Sequence, residues 1–248
     1  MKILVTGTSR GLGNFLYQSL QCESFTRNDS VLSLKNKYDL IVHCAFNSQN
    51  VVSQESLFSY IEDNIFLTKN LISNVQSDKF LFISSIDVYP DNIEKIEDLP
   101  INIDNIRNIY GKCKLICEEI VKKHPNHLIL RPCSLIGKNK IPRSVTNLFA
   151  TKHITLTKDS VLNYINQTVI LNIINEFNNN DKASNQTINL ASDNSFYINE
   201  FETIVPDIKY GNYNYNVGNI STNKFKKYFP NIQIKSSKET LFDLIKQK

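Results

Sequence analysis

The chain contains no tryptophan and a single methionine, Met1, while asparagine and isoleucine are abundant. That bias is a compositional habit and carries no functional signal. No Cys-x-x-Cys pair occurs, the five cysteines (Cys22, Cys44, Cys113, Cys117, Cys133) are scattered, and the four histidines form no cluster with ligand-like spacing. This pattern argues against a zinc site and against a disulfide framework. No metal is expected, and a reducing, cytoplasmic setting fits best. No apolar run approaches the roughly 18 residues of a membrane span. Met1-Lys2-Ile3-Leu4-Val5 runs into a turn and is too short for a signal peptide. The net charge of +4 is too small to argue for a nucleic-acid or membrane partner, though it is compatible with an anionic ligand. There is no internal repeat and no low-complexity tract. What is left, in 248 residues of which 41% are hydrophobic, is an ordinary globular composition with ample core.

Against that background the N-terminus stands out. Lys2–Thr6 is a short apolar run that reads as a buried strand. Gly7-Thr8-Ser9-Arg10-Gly11-Leu12-Gly13 follows it directly, and Leu12, Phe15, Leu16 and Leu20 then fall at helical spacing. Strand, glycine-rich turn and helix in that order form a dinucleotide-binding arrangement. The glycines permit a tight turn and close approach of backbone to a pyrophosphate at the positive end of the helix.

The second feature is Tyr110-Gly111-Lys112-Cys113-Lys114 at the start of an amphipathic run to Val121. Tyr110 and Lys114 at i and i+4 share a helical face. A phenol titrates at about 10, and an adjacent ammonium favours the phenolate. The pair is therefore suited to proton transfer. Cys113 and Cys117, also four apart on this helix, read as buried thiols.

Further strands are expected at Tyr38–Ala45, Lys79–Ser84, Leu128–Leu130 and Gln186–Ala191, with a poorly marked one at Ser24–Arg27. Helices are expected over residues 55–75, 109–121, 142–150, 166–177, 199–204 and 237–246. Alternating strands and helices imply an α/β, Rossmann-type, doubly wound parallel sheet. Gly7, Ala45, Ser85 and Pro132 each follow a strand end and should share one crevice. Residues 1–135, with returning segments, form the expected NAD(P)-binding domain. Residues 136–248 supply most of a small substrate lobe, without a clean boundary.

With these residues assembled, the chain resembles the short-chain dehydrogenase/reductase superfamily, and within it the extended branch acting on nucleotide-linked sugars. Carrying the resemblance are Thr6–Gly13, His43-Cys44-Ala45, Asn64, Phe82-Ile83-Ser84-Ser85-Ile86-Asp87-Val88-Tyr89, Tyr110–Lys114 and Leu130-Arg131-Pro132. Ile188–Ser192 with Ile198–Phe201 adds a weaker match. The resemblance implies that Ser85 hydrogen-bonds the substrate oxygen, that Tyr110 passes the proton, and that Lys114 holds the nicotinamide ribose. It also implies cofactor contacts from Gly7, Thr8, Ser9, Arg10, Gly11, Leu12, Gly13, Arg27, Cys44, Ala45, Phe46, Asn64, Tyr110, Lys114 and Pro132. Asn47, Asp87 and Arg143 are candidate substrate contacts, and Lys138 and Lys140 join Arg143 as candidate diphosphate contacts. A homodimer through residues 55–75 and 105–124 would follow the family habit.

Three departures bear on function. Arg10 stands where the extended branch has glycine. The chain is short, so the substrate lobe is trimmed. Ile86 and Asp87 occupy the places of the adjacent Asp-Glu of nucleotide-sugar 4,6-dehydratases, which argues against a dehydratase. Arg10 and Arg27 are placed to meet a 2′-phosphate, with Glu23 and Asp29 flanking. The leading expectation is an NADPH-dependent reductase of a keto group, the 4-keto in particular, on a nucleotide-linked deoxysugar. The alternatives are an NAD-dependent nucleotide-sugar 4-epimerase and a non-enzymatic NAD(P)-sensing or scaffold protein on the same fold.

Overall fold

The computed structural model describes residues 1–49, 52–91, 93–137 and 142–246. Its centre is a six-stranded, all-parallel sheet. The strands are β1 (Ile3–Thr6), β2 (Glu23–Phe25), β3 (Tyr38–His43), β4 (Ser77–Ile83), β5 (His127–Pro132) and Gln186–Leu190. Spatial order is β2-β1-β3-β4-β5 and then Gln186–Leu190. The order reverses between β1 and β3, where Thr6 stands opposite His43. Such a switch point opens a crevice at the strand ends.

The apolar runs are continuous because both faces of the sheet are covered. Within each strand, alternate side chains enter different cores. Val5, Val42, Leu81 and Leu130 join the core beneath helices α1 (Gly11–Ser19) and Thr168–Asn179. Leu4, Ile41, Phe80 and Ile129 join the opposite core with Leu71, Cys117 and Val121. That second face is closed by a helical segment and by the helix Ile109–Val121. The segment comprises α2 (Leu57–Ile61), a π-helical stretch Glu62–Phe66 and α3 (Leu67–Asn74), and the helix Ile109–Val121 is α4.

A third core is built from Ile136, Leu148, Ile154, Tyr164, Phe196, Phe201 and Leu241. Three two-stranded pairs surround it: Ser134–Ile136 with Tyr164–Asn166, His153–Leu156 with Lys209–Tyr213, and Val161–Leu162 with Phe196–Tyr197. The expected helix over 199–204 is a 3-10 turn, Ile198–Thr203. A short helix at Asn223–Tyr228 and the strand Lys209–Tyr213 were not anticipated. Among the described residues no helix is long and apolar enough to cross a membrane.

Candidate active site

The glycine turn is shaped by what glycine lacks. Gly7 has φ +74, and a Cβ there would lie 2.7 Å from the Ala45 Cα; a Cβ on Gly13 would meet the Gly7 carbonyl. These contacts lay the turn against the end of β3 and the start of α1 against the turn. By contrast, a Cβ on Gly11 would meet nothing within 4 Å. The backbone here borders open space at a helix N-terminus, which is the cradle a pyrophosphate requires.

From this turn a cleft of about 1650 Å³ runs across the strand ends. Every cofactor candidate from the sequence lines it except Thr8 and Asn64. Thr8 instead bonds Ser24 on β2, Oγ1 to Oγ at 2.5 Å. Asn64, fully buried, grips a backbone: its Oδ1 accepts from Asn47 N at 2.7 Å and its Nδ2 donates to Asn47 O at 3.2 Å. Its role is to fix the loop after β3. Asn47 and Asp87 line the cleft. Lys138 and Lys140 lie outside the described residues, as does the side chain of Arg143.

The loop after β3 is held from below as well. Thr6 Oγ1 accepts from Cys44 N at 3.1 Å and Ala45 N at 3.0 Å, so its proton is directed to His43 Nδ1, 2.8 Å away. His43 then carries its proton on Nε2 and donates to Thr68 Oγ1 at 3.0 Å. Thr68 in turn donates to Asn64 O at 2.6 Å. This chain of bonds requires a neutral imidazole. Burial, reinforced by the Lys114 charge, pushes the His43 pKa down to about 3.

Ser85 closes β4 and caps the 3-10 turn Ile86–Val88, accepting from Asp87 N at 3.1 Å. Tyr110 and Lys114 lie in the first turns of α4, whose N-cap is Asn108, Oδ1 accepting from Gly111 N at 2.7 Å. Ser85, Tyr110 and Lys114 all face the cleft. The expected depression of the Tyr110 pKa is not found in the protein by itself. Burial pushes the phenol well up and the Asp87 charge adds to the rise, while a hydrogen bond with Ser85 opposes them. Desolvation is the dominant cause here. Lys114 is buried, donates to Ile83 O at 2.6 Å and sits 5.7 Å from the Tyr110 ring centroid.

At the opposite end of the cleft, β2 closes at Phe25, two residues short of the expected end, and Arg27 lies in the turn that follows. Its guanidinium donates to Asp63 Oδ2 at 2.8 Å. The same carboxylate oxygen accepts from Asn47 Nδ2 at 2.9 Å. Asp29 accepts from Thr26 N at 2.6 Å and Thr26 Oγ1 at 2.8 Å, bonds that hold its pKa down. Asp29, Glu62 and Asp63 all line the cleft beside Arg10 and Arg27. Acids do stand near this strand end, because the turn after Phe25 folds Asp29 back and the π-helical stretch presents Asp63.

Sequence reasoning missed Asp63, Arg107, Tyr213 and Tyr215 as lining residues. Arg107 precedes the α4 cap and stacks over the Tyr215 ring at 5.5 Å, with NH1 donating to Tyr213 OH at 3.1 Å. The tyrosines two apart at 213 and 215 were the available signal; Tyr213 ends the strand Lys209–Tyr213 and Tyr215 lies just beyond it.

The sequence model of the NAD dependent epimerase/dehydratase family matches residues 21–168. No curated protein matches the sequence. Among solved structures, the chain is similar to UDP-glucuronic acid 4-epimerase from Bacillus cereus, in complex with UDP-glucuronic acid and NAD. Identity is 18% and the TM-score 0.78, covering 100% of this chain and 99% of that one. Pal from Bacillus thuringiensis gives 17% and 0.77 over 100% and 99%. The NAD-dependent NDP-hexosamine 5,6-dehydratase TunA, of tunicamycin biosynthesis, gives 16% and 0.78 over 100% and 98%. At such identities the likeness is one of fold.

Proposed function

The chain belongs to the NAD dependent epimerase/dehydratase family, and from that premise we propose that it is a nucleotide-sugar 4-epimerase working with a retained NAD. The observation that carries this reading over the reductase is the acidic surround at the end of β2. The Arg27 guanidinium is already engaged by Asp63, and Asp29 is locked beside it. Carboxylates there suit the ribose hydroxyls of NAD and repel the 2′-phosphate of NADPH. The Bacillus cereus 4-epimerase in complex with NAD and the NAD-dependent TunA support it.

The cleft would hold NAD, and the chemistry NAD would supply there is hydride acceptance from, and return to, the sugar carbon. The chain's own residues handle the proton and the geometry. Tyr110, as the phenolate, accepts the proton of the sugar hydroxyl as the carbonyl forms, becoming the neutral phenol, and returns that proton on re-reduction. Ser85 donates a hydrogen bond to that oxygen in both directions. Lys114 offsets the negative charge of that phenolate. A dehydratase is disfavoured because Ile86 stands where the elimination needs an acid.

The second reading is the NADPH-dependent ketoreductase. Arg10, exposed in the glycine turn, favours it. Stoichiometry separates the two. An epimerase purifies with NAD and interconverts a UDP-hexose pair without added cofactor. Consumption of one NADPH per product, by protein that purifies without nucleotide, would establish the reductase instead.

A further inference from the structure

We propose that Phe46 is a positioning residue for proton transfer, its ring holding the Lys114 ammonium beside Tyr110; the inference rests on the assignment of Tyr110 and Lys114 as the proton-handling pair. The Phe46 ring centroid lies 3.7 Å from Lys114 Nζ, nearer than that of Phe82 at 4.7 Å. The same ring meets Tyr110 in an edge-on contact, 5.3 Å between centroids at 84°. One aromatic side chain therefore touches both members of the pair, and the ammonium also donates to the Ile83 carbonyl at 2.6 Å.

The backbone of Phe46 is pinned on each flank. Thr6 Oγ1 holds the Ala45 amide, and Asn64 holds both the amide and the carbonyl of Asn47. The ring is thereby fixed to buried side chains of β1 and of the π-helical stretch. A cation held against a ring face in a water-poor site is stabilised by the ring quadrupole, more strongly than at an exposed site. Leucine fills similar space without offering that negative face.

The titratable and charged groups facing the pair come from every neighbouring element. They are His43 on β3, Cys44 at its end, Tyr60 on α2, Asp87 beyond β4 and Cys117 on α4, with Cys113 and Glu118 of α4 reaching the pair only through Cys117 and Tyr60. Burial keeps His43 neutral, and it pushes the thiol of Cys113 up to about 11 and that of Cys117 up as well. Asp87 opposes ionisation of Tyr110. The ammonium seated on Phe46 supplies charge of the opposite sign.

The test is an ultraviolet difference titration of the Tyr110 phenol, against Tyr110→Phe, with saturating NAD or NADPH, whichever binds tighter. It needs no sugar substrate, so failure of the epimerase reading leaves it intact. Phe46→Leu should raise the phenolate midpoint by about one pH unit, a tenfold loss of phenolate fraction. Phe46→Trp, which offers the strongest ring for a cation, should restore the midpoint. The chain has no native tryptophan, so quenching of that indole also verifies folding and cofactor binding. In a Lys114→Met background Phe46→Leu should do nothing further. An unchanged midpoint in Phe46→Leu overturns the proposal, as does an equal shift in the Lys114→Met background. Tighter cofactor binding by Phe46→Leu would make the ring an obstruction and overturn it too.

Discussion

Arg131 and Glu118 meet in the interior through two parallel hydrogen bonds, Nε to Oε1 at 3.0 Å and NH2 to Oε2 at 2.6 Å. Ser84 donates to the same Oε1 at 2.5 Å. Arg131 NH1 donates to Tyr89 OH at 2.7 Å, and Tyr89 OH donates to Asn189 Oδ1 at 2.9 Å. Three strand ends and α4 are thereby joined one residue back from Ser85 and Pro132. Lys114 lies one turn before Glu118, so the network and the proton-transfer pair share one rigid element.

The network predicts a large stability loss when one ion is removed. Glu118→Gln leaves a buried guanidinium without its counter-charge, and breaking such a pair costs about 3–5 kcal/mol. The double change Glu118→Leu with Arg131→Met removes both charges and should cost less than Glu118→Gln alone. Urea unfolding at neutral pH measures both. A loss under about 1 kcal/mol for Glu118→Gln would show that the pair is solvated.

His43 predicts an acid-side instability. Its pKa is pushed down to about 3 in the folded chain, against about 6.5 unfolded. Between those values the unfolded state binds the extra proton, so stability rises with pH there. It should fall as pH drops below about 6.5, with His43 contributing up to about 1.4 kcal/mol per pH unit. His43→Asn should flatten that slope while lowering stability at pH 7. An unchanged slope would mean that another group governs it.

How much of this was legible follows from the physics of each residue. The sheet could be read because Val5, Val42, Leu81 and Leu130 lie in runs buried on both faces. Tyr110 and Lys114 could be read because helical spacing alone puts them together. Asp63 could not. It reaches Arg27 across 36 residues from a π-helical stretch that no local pattern announces. Asn64 was recognised by its place in the family pattern, yet its partner is a loop backbone, a contact set by tertiary packing. Tyr213 reaches the cleft because the strand Lys209–Tyr213 pairs with His153–Leu156, and Tyr215 because its backbone bonds Ser160 and Val161. No short-range signal encodes that pairing.

The proton-transfer residues predict a split between chemistry and binding. Tyr110→Phe should cut turnover by roughly 10²–10⁴, with cofactor affinity nearly unchanged. Asp87 raises the Tyr110 pKa, so Asp87→Asn should move the acid limb of the rate profile to lower pH. Stopped-flow turnover from pH 5 to 10 checks both. A Tyr110→Phe variant that kept half the activity would remove Tyr110 from the reaction.

Cofactor choice turns on which charge wins at the adenosine end. The 2′-phosphate of NADPH carries about one and a half to two negative charges. A guanidinium can meet it with two charge-assisted bonds. Arg27 is placed to do so, but its NH2 is bound to Asp63 at 2.8 Å, and Asp29 stands fixed by Thr26. Asp29→Asn together with Asp63→Asn removes two repelling charges and frees Arg27. The ratio of kcat/KM for NADPH over that for NADH should then rise at least tenfold, equivalent to about 1.4 kcal/mol. Arg27→Ala in the native background should change the use of NADH little, because its ion pair is exposed, with the Arg27 side chain 73% accessible, and such pairs contribute about 0–1 kcal/mol. The comparison must be made at one ionic strength, since exposed charges are screened. The charge balance predicts a native protein that prefers NAD. A native preference for NADPH of tenfold or more would put Arg10 and Arg27 in control, and the reductase reading would replace the epimerase.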